Sequence, residues 1–84
     1  MDSKQDVEQR FREGVTENLR QTIAIYRVLK DEINNDRKVE YSQRLSHLTQ
    51  EINALIRSTP LSDKRKEKIR LEVRASLRQE LSLL

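Results

Sequence analysis

The sequence predicts an all-α fold, a long antiparallel helical hairpin followed by a shorter, basic C-terminal helix. Three observations support this prediction. Apolar residues recur every three or four positions along most of the 84 residues, which is the helical period. One glycine and one proline, Gly14 and Pro60, are the only residues of their types in a chain rich in helix formers. The apolar stripes of the first two segments also match each other when folded antiparallel.

The first predicted helix covers residues 3–35. Ser3 can cap its start, because a serine hydroxyl accepts from a free amide of the first turn. We expect it to stop at Asn34-Asn35-Asp36, where asparagine tolerates the helix-ending left-handed conformation and Asp36 can cap the next helix. Gly14 costs about 1 kcal/mol relative to alanine inside a helix. We interpret it as a tolerated defect, the alternative being the close approach of another helix. The apolar stripe consists of Val7, Phe11, Val15, Leu19, Ile23, Tyr26, Leu29 and Ile33.

The second predicted helix covers residues 37–58 and carries a regular heptad stripe. Its members are Tyr41, Leu45, Leu48, Ile52 and Leu55. With a turn near Arg37, an antiparallel register places Ile33 opposite Tyr41. The same register continues, layer by layer, to Leu19 opposite Leu55. One register thus satisfies five layers, which predicts the hairpin.

The third predicted helix covers residues 60–83, after the break at Pro60. Either Thr59, with Pro60 at the first helical position, or Ser62, with Asp63, could cap its start. Its apolar stripe is Ile69, Val73, Leu77, Leu81 and Leu84. The hairpin alone would be marginally stable at this size, and Val7 and Phe11 lie beyond the end of the second helix. The third helix, a second copy of the chain or a foreign helix could cover them, so a three-helix bundle and a helical oligomer both remain open. The length predicts a single domain, residues 1–84.

Several kinds of chemistry lack their usual residues. The sequence has no cysteine and one histidine, so we expect no thiol catalysis, no metal and no cofactor. A lone His47 on the flank of an apolar stripe has no positioned partner for catalysis, and we expect it to be exposed or at the boundary of the core. Glu8 and Arg12 have the spacing of a helix-stabilising pair. We therefore predict that the protein is not an enzyme.

The third segment carries the excess positive charge. Residues 61–84 contain seven basic and four acidic side chains, whereas residues 1–35 contain six and seven. One ridge with a spacing of four consists of Lys66, Arg70, Arg74 and Arg78. Arg74 and Arg78 have no acidic neighbour three or four residues away. The ridge is interpreted as a solvated flank, a helix that docks on an acidic partner, or a set of phosphate contacts.

We predict a small non-enzymatic protein–protein interaction module, of an adaptor, chaperone-like or regulatory kind. It would bind a partner helix, or a second copy of itself, through apolar stripes and the basic ridge. The predicted partner-binding residues are Arg70, Arg74, Arg78, Leu77, Leu81, Val7 and Phe11. The alternative is a nucleic-acid-binding regulator that uses the basic C-terminal helix. With no apolar run long enough to span a membrane and no cysteine, we expect an intracellular, cytoplasmic protein.

Overall fold

The computed structural model describes residues 3–84, which form four helices and no strand. The helices are α1 (Lys4–Asp31), α2 (Asn35–Ser58), α3 (Asp63–Ser76) and α4 (Arg78–Ser82). α1 and α2 form an antiparallel hairpin. α3 lies alongside α1 and runs in the same direction as α1. The all-α class and the hairpin are confirmed. The predicted domain starts at residue 1, and its first two residues lie outside the described part of the chain.

The turn of the hairpin is set by a side-chain cap. Asn34 Oδ1 accepts hydrogen bonds from the backbone amides of Asp36 and Arg37, at 2.9 and 3.3 Å. α2 therefore begins at Asn35, and Asn34 rather than Asp36 is its N-cap. α1 stops at Asp31, four residues before the predicted end. Ser3 caps α1 as predicted, accepting from the Asp6 amide at 3.2 Å.

The position of this turn changes the pairing of α1 with α2. Because residues 32–34 connect the helices, residues of α1 meet residues of α2 that lie five to eight positions earlier than predicted, about one and a half to two helical turns. Asn18 Nδ2 donates to the Leu48 carbonyl at 2.8 Å, and Gly14 lies against Leu55. The predicted register, with Ile33 opposite Tyr41, is wrong. Ile33 is instead 90% exposed.

Gly14 lies where α1 and α2 approach each other closely. A Cβ atom at this position would lie 2.6 Å from Leu55 Cδ2, well inside van der Waals contact. The absence of a side chain at Gly14 thus lets Leu55 pack against the α1 backbone. The close approach of another helix, rather than a tolerated defect, accounts for this glycine.

α3 covers the hairpin and completes its core. The third helix, a second copy of the chain and a foreign helix were the three candidates for covering Val7 and Phe11. The structure shows that the chain's own third helix packs on Phe11. The buried cluster consists of Phe11, Val15, Ile23, Ile69, Val73 and Leu77. α3 begins at Asp63 rather than Pro60, because Ser62 Oγ accepts from the Arg65 amide at 3.1 Å. The prediction of one continuous helix over residues 60–83 is also wrong, because the helix is interrupted at Leu77, which separates α3 from α4.

Replacing Gly14 by leucine is expected to destabilise the protein by about 1–3 kcal/mol, because the new side chain must displace Leu55 from the α1 backbone. Urea unfolding followed by circular dichroism measures the change. Leucine in place of Ala24, which is exposed on the same helix, should change stability by no more than about 0.5 kcal/mol. Equal unfolding midpoints for the two variants would contradict the close contact.

Replacing Leu77 by alanine is expected to cost about 2–5 kcal/mol, because a side chain only 3% exposed leaves a cavity in the core. The hairpin should then melt together with α3 in a single transition. Leu71→Ala is the matched control on α3, where the side chain is 57% exposed. If the hairpin kept its full stability in Leu77→Ala, α3 would not be part of its core.

Candidate protein-binding surface

Two ion pairs fix the orientation of α3 against α1. Arg65 binds Glu8 with two hydrogen bonds, from Nε to Oε1 at 2.7 Å and from Nη2 to Oε2 at 2.9 Å. Arg12 Nη2 donates to Glu72 Oε2 at 2.7 Å. The spacing of Glu8 and Arg12 predicts a pair inside one helix. The structure instead directs each of them to a partner on α3.

Both carboxylates titrate differently from free glutamate. The hydrogen-bonded Arg65 guanidinium lowers the pKa of the Glu8 carboxyl. Arg12 lowers the pKa of Glu72 in the same way, because the charged acceptor is favoured by a cationic donor. The pairing with Glu8 raises the pKa of Arg65. The two glutamates are thus held in their ionised form by the contact between α1 and α3.

Lys66, one of the four residues of the predicted ridge, is buried and forms a hydrogen bond within the fold. Its side chain is 8% exposed, and its Nζ donates to the carbonyl of Ile56. The last carbonyls of a helix lack partners within the helix, and a cation near them is favourable. Lys66 therefore joins α3 to the C-terminal end of α2 and does not belong to an exposed ridge.

The rest of the ridge faces solvent. Arg70, Arg74 and Arg78 are exposed, and none of the three forms an ion pair within residues 3–84. A spacing of four residues separates Arg70 from Arg74 by about 6 Å along the helix. Arg78 opens α4, just after the break at Leu77. The exposed ridge of α3 and α4 thus carries three cations that form no ion pair within the described chain.

A groove of about 200 Å³ lies between α1, α2 and α3, and we call it the basic groove. Its apolar lining consists of Val15, Leu19 and Ile52, and Arg70 and Arg74 supply its charges. Its remaining lining residues are Asn18, Thr22 and Thr49.

The neutral polar groups of the basic groove already have partners. The Thr22 hydroxyl donates to Asn18 O at 2.8 Å, and the Thr49 hydroxyl donates to Leu45 O at 3.0 Å. The Asn18 amide binds the Leu48 carbonyl. The arrangement therefore suits a ligand that combines an aliphatic side chain with negative charge.

The predicted apolar members of the site lie elsewhere. Phe11 and Leu77 are 1% and 3% exposed within the chain's own core, so they do not form a surface in this structure. Leu81 is half-buried against the same core. Val7, also half-buried, lines an open cleft beside Pro60 at the other end of α3. The structure brings only Arg70 and Arg74 of the predicted set into the basic groove.

His47 is exposed on α2, as predicted. Within residues 3–84, no three residues among the histidines, aspartates and glutamates are placed to hold a metal ion together. None of the described helices combines the length and the apolar character needed to cross a membrane.

Comparison with known proteins gives no relative. No family model matches this chain, and neither the curated proteins nor the solved structures contain a significant match.

The two ion pairs predict an acid-sensitive contact between α1 and α3. Because the pKa values of Glu8 and Glu72 are lowered in the folded state, their stabilisation is complete above the unfolded glutamate pKa, about 4.3. It is lost as the pH falls through the lower folded values. Glu8→Gln/Glu72→Gln should be less stable than the parent at neutral pH, and the difference should shrink on acidification.

Urea unfolding at a series of pH values measures this difference. Glu51→Gln/Glu67→Gln removes the same charge from two exposed glutamates that form no ion pair within residues 3–84. This control should follow the parent protein more closely across the series. A stability difference between the Glu8/Glu72 variant and the parent that does not depend on pH would contradict the linkage.

Proposed function

We propose that the chain is a non-enzymatic helical protein-binding module that holds an acidic segment of another protein in the basic groove. An adaptor, a chaperone-like protein or a regulator could work in this way. One observation carries the proposal. Arg70 and Arg74 line an apolar groove and form no ion pair within residues 3–84, while Arg12 and Arg65 have glutamate partners.

The spacing of the arginines favours a helical partner. Carboxylates four residues apart on a helix are separated by about 6 Å, the same axial distance as Arg70 and Arg74. Each guanidinium can donate two hydrogen bonds to one carboxylate. An aliphatic side chain between the two acids would reach Leu19 and Ile52. An acidic amphipathic helix therefore satisfies both the charge and the apolar lining of the groove.

The energetics favour modest affinity with strong charge selection. Exposed ion pairs contribute about 0.2–1 kcal/mol each, so Arg70 and Arg74 alone give weak binding. Apolar contact with Leu19 and Ile52 must supply the remainder. The arginines repel each other at this spacing, and an anionic ligand would relieve that repulsion. Charge complementarity would thus choose the partner, and apolar burial would hold it.

Binding of nucleic acid is the second candidate, since the exposed arginines could contact phosphates. The same segment carries Glu67, Glu72 and Glu80, and the whole chain has a net charge of only +3. Neither feature suits an extended polyanion. The acidic protein segment is therefore the better fit, and nucleic acid is an outcome that the test must distinguish.

Arg70→Glu/Arg74→Glu is expected to weaken binding of an acidic helical peptide by about tenfold or more, because two attractive contacts become repulsive. The probe is a labelled alanine-based peptide with two glutamates four residues apart and a leucine between them, followed by fluorescence anisotropy. Lys64→Glu/Lys68→Glu changes the charge equally at exposed positions of α3 outside the groove. This control should bind within about twofold of the parent, allowing for its altered net charge.

A peptide with lysines in place of the glutamates should bind the Arg70→Glu/Arg74→Glu variant and not the parent protein. No binding of the acidic peptide to the parent at low salt would refute the proposed function. Equal losses in both double variants, together with steeply salt-dependent binding of a short DNA duplex, would favour the nucleic-acid candidate.

A further inference from the structure

The far end of the hairpin has an apolar surface that the third helix does not cover. The core cluster and the side chains packed against it include no residue between Ile23 on α1 and Ile52 on α2. Among residues 3–84, seven large apolar side chains are exposed, and four of them lie within residues 26–39. These four are Tyr26, Val28, Ile33 and Val39.

Part of this surface lies on the same faces of α1 and α2 that α3 covers at the opposite end of the hairpin, away from the turn at residues 32–34. Tyr26 follows Leu19 by seven residues, so both lie on one face of α1. Ile33 lies beyond the end of α1, in the connection to α2. On α2, Leu45 and Tyr41 precede Ile52 by seven and eleven residues and share its face. We call Tyr26, Ile33, Tyr41 and Leu45 the distal patch. Tyr26 is 48% and Ile33 90% exposed, and the other two are half-buried.

The charges around the distal patch are nearly balanced, unlike those of the whole chain. Residues 26–41 contain four basic and four acidic side chains, and Arg44 beside Leu45 adds one positive charge, so most of the chain's net charge of +3 arises elsewhere. Arg37 and Glu32 lie 3.9 Å apart and are the only two of these eight that form an ion pair with each other within the described chain. The basic members are Arg27, Lys30, Arg37 and Lys38, and the acidic members are Asp31, Glu32, Asp36 and Glu40.

The balance of positive and negative charge around the distal patch indicates which kind of partner could cover it. A strongly acidic or basic partner would gain nothing from a neutral surface, because its attraction to one sign would be cancelled by the other. Two copies of a balanced surface approach without net repulsion, and charges of both signs can pair across the contact. Exposed apolar side chains surrounded by balanced charge therefore fit a self-complementary contact, which is what twofold symmetry requires.

We propose that the distal patch is covered by the distal patch of a second copy of this chain. The two hairpin ends would overlap antiparallel and form a four-helix contact around a twofold axis. The basic groove begins about one helical turn away on the same face, since Thr22 lies four residues before Tyr26 and Thr49 four residues after Leu45. The contact would therefore end at Tyr26 and Leu45 and leave Arg70 and Arg74 uncovered. Because the patch is small, the dimer should lie at the weak end of specific interfaces, with a Kd of about micromolar order.

Light scattering on a sizing column, over a dilution series, tests the contact. The parent protein should change from dimer to monomer on dilution. Tyr26→Glu/Ile33→Glu should remain monomeric and keep its helical circular dichroism, since both side chains are exposed. The matched control is Leu71→Glu/Leu83→Glu, which places the same charges at two side chains that are 57% and 62% exposed. This control should still dimerise.

Proton NMR over the same dilution series gives a local readout. Tyr26 and Tyr41 are the only tyrosines of the chain and both lie in the distal patch, whereas the single phenylalanine, Phe11, is 1% exposed in the core. The tyrosine ring signals should shift with concentration, and the Phe11 signals should stay constant.

Three results would overturn the proposal. They are a parent protein that stays monomeric at all concentrations, a dimer that persists in Tyr26→Glu/Ile33→Glu, and a dimer lost in the Leu71/Leu83 control. The Arg70→Glu/Arg74→Glu variant should dimerise like the parent protein. The distal contact and the proposed function therefore succeed or fail independently.

Discussion

The cap formed by Asn34 is the constraint on which most of this structure depends. By binding the amides of Asp36 and Arg37, it starts α2 directly after a three-residue turn. The short turn then fixes which residues of α1 and α2 lie side by side, including the contact of Gly14 with Leu55. The basic groove and the uncovered far end of the hairpin are both consequences of this one register.

Some of the basic residues form contacts that stabilise the fold, and others are exposed on its surface. Arg12 and Arg65 anchor α3 to α1 through glutamates, and Lys66 closes the end of α2. With these contacts formed, α3 is held in one orientation, and that orientation places Arg70 and Arg74 at the groove. The composition of the chain alone does not reveal this division, because all five basic residues look alike in a charge count.

The helices and the hairpin could be predicted because apolar periodicity is a local signal. The register could not, since Asn34 and Asp36 are both good cap residues, and a shift of about seven residues, or two helical turns, keeps the same apolar faces inside. The exposed arginines of the candidate site were also predictable from their spacing. Leu19 and Ile52 as groove residues were not, because the groove exists only once three helices have packed. The pairing of Glu8 with Arg65 joins residues 57 positions apart, beyond any local rule.

The contact between Gly14 and Leu55 also bears on how this sequence could vary in evolution. A side chain at position 14 needs space that the end of the Leu55 side chain now occupies, so a larger residue there requires Leu55 to adopt another rotamer or to be replaced by a smaller residue. The two positions are thus expected to change together in any lineage that keeps this register. Covariation between them, rather than a glycine at position 14 by itself, would be the evolutionary trace of this helix pair.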